Sequence, residues 1–365
     1  MILVIDTNLK EVKFWVFKKN QIETPPLFFV KDLEELKASK NLKQEILNLT
    51  GRGRISAISF RVLFGGDFFD QTIVIDQDFF TKFSKLTDLF PFYIPAMSNI
   101  LKIFYREFED VPQVAFFETA FFSRLPPAEK FYAIPHEFYQ ENRIKKWGFH
   151  GIFHEANSNI FPCAGKCISI VFDKQTTVCA VNDHQPFSIS LGYTPLEGVM
   201  SRTSCGDLDP GIVFYLMNVH KFSIYKIDDM LKNESGFLGL TGYDLELKEL
   251  VKFYGQDPKV NLAFEIYQGQ IIKYIGEGIS VLGGVDNIIF AGSQVDALLP
   301  IIHSLIKRIS FLGINMKSLP WKDKKETFQI TSPESKIKAY LNRMDLPAII
   351  YYETVKFLHK NLSKI

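Results

Sequence analysis

The sequence predicts an α/β protein of two domains that face each other across a central cleft. Three observations carry that reading. Strand-like and helix-like stretches alternate through the first third of the chain, the same alternation restarts near Cys167, and 365 residues with 47% apolar content suffice for two domains with a sizeable core. The repeat of a hairpin-plus-helix unit is read from pattern alone, because no sequence identity between the halves is visible.

The elements follow in order. "ILVIDT" and "VKFWVF", joined through Asn8, have the apolar spacing of a hairpin, and "ISAISFRVLF", "TIVID" and "QVAFFET" read as further strands. Between them "DLEELKASKNLKQEILNL" and "PAMSNILKIFYREF" place apolar residues three and four apart, as amphipathic helices do. A second strand cluster follows in "CISIVFD", "TTVCAVN" and "FSISLG". Helical spacing returns at 210–220, 243–253 and 257–281, before a buried strand "NIIFAG" and another helix. In "CGDLDPGIVF", Asp209 ahead of Pro210 predicts an N-cap with proline at the first helical position.

Composition excludes several classes of function. The 42 basic and 41 acidic residues leave a net charge of +1, and no basic block invites nucleic acid or an anionic membrane. No apolar run reaches the roughly eighteen residues of a membrane span. The opening "MILVIDTNLKEVKFWVF" is interrupted by Asp6, Lys10, Glu11 and Lys13, unlike a signal peptide, so Cys163, Cys167, Cys179 and Cys205 are expected as free thiols in the cytoplasm. "CAGKC" has the look of half a metal site, but no second Cys/His pair follows at zinc spacing, which leaves buried or incidental thiols as the main reading. The 35 phenylalanines point to aromatic packing of cores and pockets.

Three segments resemble the acetate kinase family. "LGYTPLEGVMSRTSCGDLDP" is similar to its G-F-T-P-L-E-G and T-R-[SC]-G-D-[IL]-D-P run, matching from Gly192 to Pro210. "FETAFFSRLPPAEKFYAIPHEFYQENRIKKWGFHGIFHEA" follows its D-T-A-F, P-P, Y-A-[LI]-P and G-F-H-G-x-x-H pattern, and "GFLGLTGYDLELKEL" with the later "NIIFAG" follows its helical region. The resemblance covers nearly the whole chain. It implies the duplicated fold shared by actin and sugar kinases, a homodimer, and transfer of the ATP γ-phosphoryl group, with Mg²⁺, to acetate or a similar short acid. It also implies an N-terminal domain of 1–147 completed by 346–365, and a second domain of 148–345 that carries the nucleotide side and the dimer contact.

Carried over residue by residue, the resemblance implies catalytic roles for Glu118, in place of the family's aspartate, for Arg61 and for His150. It implies phosphate contacts at Lys13 and Asp6, nucleotide contacts at Gly292 and Ser293 in "AGSQVDA", and an acceptor pocket of Leu63, Phe92, Phe149 and Pro195. Structural readings stand beside these: an ion pair for Arg61, a solvated strand-end charge for Lys13, a packed and hydrogen-bonded ring for His150. A metal face of His150 with His154 is a further reading, but the family has the second histidine without metal. The family's metal-linked glutamate aligns with Leu346, which leaves Asp345 next to it as the metal contact.

Other positions depart from the pattern. The family's first phosphate loop, N-[AS]-G-S-S-S-x-K, reads "DTNLKEVK", with Asp6 for asparagine and Leu9 and Glu11 for serines. Its second, H-L-G-N-G-[SA]-S, aligns with Val171 to Thr177, Lys174 included, and both glycines are gone. Its arginine in T-R-[SC]-G is Ser204, with Arg202 two residues earlier. Such an arginine is worth about 10³ to 10⁵ in rate in Arg-finger enzymes. The expectation is therefore an acetate kinase-like protein with weak activity toward a small carboxylate, or a silent homologue that binds a small anion or regulates. The bulk of Phe92 and Tyr93 is expected to fill the acceptor pocket.

Overall fold

A computed structural model describes residues 1–7, 10–18, 27–39, 41–51, 53–160, 165–317 and 326–362. By internal contacts the chain divides into two units, 1–123 with 345–365, and 124–344.

The first unit holds a six-stranded sheet of β1 (Ile2–Thr7), β2 (Glu11–Phe17), β3 (Leu27–Asp32), β4 (Ala57–Val62), β5 (Ile73–Val74) and β6 (Gln113–Phe117), in the order β3-β2-β1-β4-β6-β5. β1 and β2 form the antiparallel hairpin that their alternation predicts, with Asp6 opposite Lys13, while β4 runs parallel to β1 and β6 parallel to β4. The joining residues Asn8 and Leu9 lie outside the described residues. β1, β4 and β6 are buried along nearly their whole length, which explains their continuous apolar runs.

Phenylalanine fills this core. Phe14, Phe60, Phe79, Phe83, Phe104 and Phe108 are fully buried, and Phe60 meets Phe104 edge-on at 5.4 Å between ring centres. The stretch read as one helix after Asp32 forms two, Leu33–Ala38 and Leu42–Leu49. Ser39 is extended, and the Asn41 side chain accepts from Gln44 N–H to cap the second. The last helix, Leu346–Leu362, packs on this unit, where Thr354 Oγ1 lies 2.7 Å from Ser59 Oγ and Tyr351 stacks on Phe17.

The second unit repeats the plan. Its strands are β7 (Lys166–Phe172), β8 (Thr176–Asn182), β9 (Gln185–Ile189), β10 (Asn287–Ala291), β11 (Thr327–Gln329) and β12 (Lys338–Asn342), ordered β11-β12-β10-β7-β8-β9. Read from the meander end, both sheets run third, second, first, fourth, sixth, fifth. In both, the first, fourth and sixth strands are parallel. Helix Pro258–Leu282 lies over this sheet, capped by Asp257 at its start and by left-handed Gly283 at its end, one residue beyond the span read from spacing. Asp209 caps helix Pro210–Asn218 through Gly211 N–H, as predicted. Among the described residues Cys167, Cys179 and Cys205 are free thiols; Cys163 lies outside them.

Candidate functional site

The C-terminal ends of the parallel strands in the first unit bring three predicted residues together. Asp6 closes β1, Arg61 sits on β4, and Glu118 follows β6, its N–H still bonded to Val62 O at 2.9 Å. Arg61 Nε donates to Glu118 Oε1 at 2.5 Å and Nη1 to Asp6 Oδ2 at 3.2 Å. The Glu118 side chain is 1% exposed and Arg61 15%, so these charges are shielded from water and strongly coupled. Glu118 Oε2 is buried and has no hydrogen-bond partner among the described residues.

Beside this cluster Leu63 is half-buried, and its N–H donates to Tyr93 Oη at 2.8 Å. Tyr93 is buried, and that burial raises its phenol well above the ordinary value, so it stays a neutral O–H. Phe92 departs from expectation. At 91% exposure it fills no pocket and joins no core, because Tyr93, Ile94 and Met97 take the inner face of helix Tyr93–Glu107 and leave Phe92, ahead of its first turn, in solvent. Lys13 is half-buried on β2, and Glu11 is exposed. Leu9 lies outside the described residues.

In the second unit His150 is buried just before helix Gly151–Ile160, with φ at +63°. A left-handed non-glycine residue costs about 1–2 kcal/mol. Surrounding bonds hold it there: its carbonyl accepts from His154 N–H at 3.0 Å, and its Nδ1 lies 3.1 Å from Thr177 Oγ1. His154 contacts Ser169 Oγ through Nδ1 at 2.8 Å and Thr177 Oγ1 through Nε2 at 2.9 Å. Burial, with the His150 charge second, pushes its pKa well below the usual histidine value, so it is neutral. Both of its ring nitrogens meet hydroxyls, so a shared metal face with His150 is not formed. Phe149, next to His150, is buried.

Of the remaining predicted positions in this unit, Lys174, Pro195 and Ser204 line an open cleft of about 500 Å³, together with Arg202, Lys232 and Glu246 among others. Lys174 and Pro195 are exposed, whereas Val171 is buried at the end of β7, opposite Thr177. Segment 201–204 is pinned to the start of helix Gly236–Thr241: Phe237 N–H donates to Ser201 O, and Leu238 N–H to Arg202 O. Only glycine fits at 236, since a Cβ there would lie 2.2 Å from Ser201 O. Ser204 Oγ lies 2.7 Å from Ser201 Oγ, and Arg202 pairs with Asp244 and, at 3.6 Å, with Glu246.

Gly292, at φ +110°, passes so close to β7 that a Cβ would lie 2.3 Å from Phe172 O. That approach accounts for the glycine within the fold. Ser293 Oγ donates to Asp173 Oδ1 at 2.7 Å, which ties the loop after β10 to the β7–β8 turn. Asp345 is exposed, and its Oδ1 accepts from Ala348 N–H at 2.9 Å, as an N-cap of the last helix.

Sequence reasoning missed Ser169, Asn157, Asn342, Lys232, Asp244 and Glu246. One signal was present: His150, just before helix Gly151–Ile160, and His154 and Asn157 within it sit at four- and three-residue spacing, which places polar groups on one face. Nothing local marks the others.

Mg²⁺ is usually held through one or two carboxylates plus substrate phosphates. The orphaned Glu118 Oε2 suits that role, and no group of three or more His, Cys, Asp or Glu among the described residues could cage a metal. For phosphates the fit is partial, with Lys174 and Lys232 on the cleft but no glycine in the Asp173–Gln175 turn.

Two α/β units of one strand order, with the candidate chemistry gathered at strand ends, define a protein of the duplicated actin-like ATPase fold. The fold matches an acetate kinase from Porphyromonas gingivalis at TM-score 0.85 and 22% identity over 98% of this chain and 99% of that one. It matches an acetate kinase from Entamoeba histolytica at 0.84 and 24%, over 97% and 98%. The chain belongs to the Acetokinase family, whose profile matches residues 7–350. It is 32% identical over 322 residues to an acetate kinase from Fervidobacterium nodosum, covering 85% of this chain and 79% of that protein. With an acetate kinase from Dictyoglomus thermophilum the identity is 30% over 321 residues, covering 86% and 80%.

Proposed function

We propose that this chain binds a short carboxylate or similar small anion and passes the ATP γ-phosphoryl group to it far more slowly than the acetate kinases it resembles. Arg61 orients the acceptor carboxylate, and His150 meets the transferring phosphoryl group. Glu118 Oε2 would hold Mg²⁺, and Lys174 and Lys232 would meet phosphate oxygens. Bound metal supplies charge neutralisation.

The observation that carries the slow reading is the 201–204 segment. Position 204, where the family resemblance places an arginine, holds a serine tied to Ser201, and the neighbouring Arg202 is engaged by Asp244 and Glu246. A second observation favours a working enzyme instead: the Asp6–Arg61–Glu118 cluster is assembled, with one carboxylate oxygen orphaned. Hydroxamate trapping with acetate, propionate and butyrate decides between them. Acyl phosphate formation at least a thousandfold below an ordinary acetate kinase is expected, and comparable turnover refutes the slow reading. Calorimetric titration with Mg-ATP then separates slow transfer from a silent homologue that binds no nucleotide.

We infer a cytoplasmic homodimer, which the free thiols and the second unit's apolar surface support. Helix Pro210–Asn218 has no buried residue, and Phe214 at 63% and Tyr225 at 85% exposure stand out from it and its neighbour Ile224–Asn233. Light scattering should give twice the 42.0 kDa chain mass, reduced to one chain by Phe214→Glu.

A further inference from the structure

The second unit contains a buried chain of hydrogen bonds whose direction can be worked out link by link. Met344 is its last residue, and the backbone N–H of Met344, which can only donate, bonds Asn342 Oδ1 at 3.0 Å. Asn342 therefore presents Nδ2 to Asn157 Oδ1, 2.8 Å away, and Asn157 in turn presents Nδ2 to Ser169 Oγ at 2.9 Å. Ser169 is wholly buried, and among the described residues its hydroxyl proton has one acceptor, His154 Nδ1. A buried hydroxyl left without an acceptor keeps its full desolvation penalty, so the proton goes there. His154 is neutral, so its own proton sits on Nε2 and is donated to Thr177 Oγ1. The Thr177 hydroxyl then donates to His150 Nδ1.

We propose that Asn342, Asn157, Ser169, His154 and Thr177 are positioning residues that fix His150 as the Nε2–H tautomer. The chain commits Nδ1 of the ring to Thr177 and leaves Nε2 as its N–H donor. What that donor serves rests on the reading of His150 as a phosphoryl contact; the tautomer itself does not. Reversing the histidine links alone would leave the Ser169 proton unaccepted, and reversing the whole chain, with both amides flipped, would set Asn342 Nδ2 against the Met344 N–H.

The test is long-range ¹H–¹⁵N spectroscopy of the full chain labelled in its histidine rings, above pH 7.5 and without ligand. His150 and His154 should both show Nε2 protonated and Nδ1 bare; a proton on Nδ1 of either ring overturns the proposal. In Thr177→Val the His150 signals should become a mixture of the two tautomers, and Thr177→Ser should restore the single form. An unchanged His150 in the valine variant also overturns it. Inorganic phosphate titration of the same variants tests the functional reading separately: at least threefold weaker binding in Thr177→Val and recovery in Thr177→Ser support it. Equal binding in all three refutes the phosphoryl contact even where the tautomer is as proposed.

Discussion

The two sheets share one strand order but carry opposite chemistry. At the strand ends of the first unit a guanidinium is held between two carboxylates; in the second, imidazole, hydroxyl and amide groups pass hydrogen bonds along around a neutral His154. A duplicated backbone thus fixes where a site sits, not what it does. The charged end has little latitude, since each ion needs its partners to remain out of water. Partners in the neutral end can each be replaced by another donor or acceptor, provided every group stays satisfied.

The largest expected effect tests that contrast in the charged cluster. Arg61→Leu leaves Glu118 and Asp6 facing each other without their cation, and breaking a buried pair in this way costs roughly 3–5 kcal/mol. Urea unfolding should show it, and a second change, Glu118→Leu, should recover a large part. If Arg61→Leu costs no more than a single surface pair, the cluster is effectively solvated and the contrast between the units fails.

The neutral network has its own signature, in pH. The folded His154 pKa lies well below the ordinary value of 6.5, mainly through burial. Between those two values the unfolded chain binds a proton that the folded chain does not, so stability is full above about pH 6.5 and falls as pH drops below it. The slope approaches about 1.4 kcal/mol per pH unit. Unfolding midpoints between pH 7.5 and 5.5 should follow this slope, and His154→Gln should flatten it. A flat profile in the unmodified protein would mean that His154 takes up its proton freely while folded.

Much of the fold was legible because burial writes itself into composition. β1, β4, β7 and β10 are nearly continuous apolar runs, and the restart of that pattern revealed the duplication. β3 escaped notice because it is largely exposed, and β11 and β12 because three and five residues carry little periodicity. At the site, the resemblance supplied identities but not surroundings. Phe92 was read by its volume, whereas its place ahead of a helix turns it to water. The ties that define the chemistry join residues remote in sequence, such as Asn157 to Asn342 across 185 positions and Arg202 to Asp244 across 42, and no local pattern announces them.

The smallest expected effect concerns ligand affinity in the first unit. Asp6 stands where the resemblance places asparagine, and it occupies Arg61 Nη1 with a charge-assisted bond at 3.2 Å, longer than the Glu118 bond and 25% exposed at the carboxylate. A carboxylate ligand must compete with that bond and meets a net negative cluster. Asp6→Asn removes the charge, keeps the shape, and leaves the Glu118 bond to hold Arg61 in place. Partial exposure and solvent screening keep the gain to about 1 kcal/mol, or roughly fivefold tighter acetate binding. Calorimetric titration with acetate at low and high salt checks it, and the gain should shrink as salt rises. Unchanged affinity at low salt would place the acceptor away from Arg61 and leave the charged cluster a structural ion network.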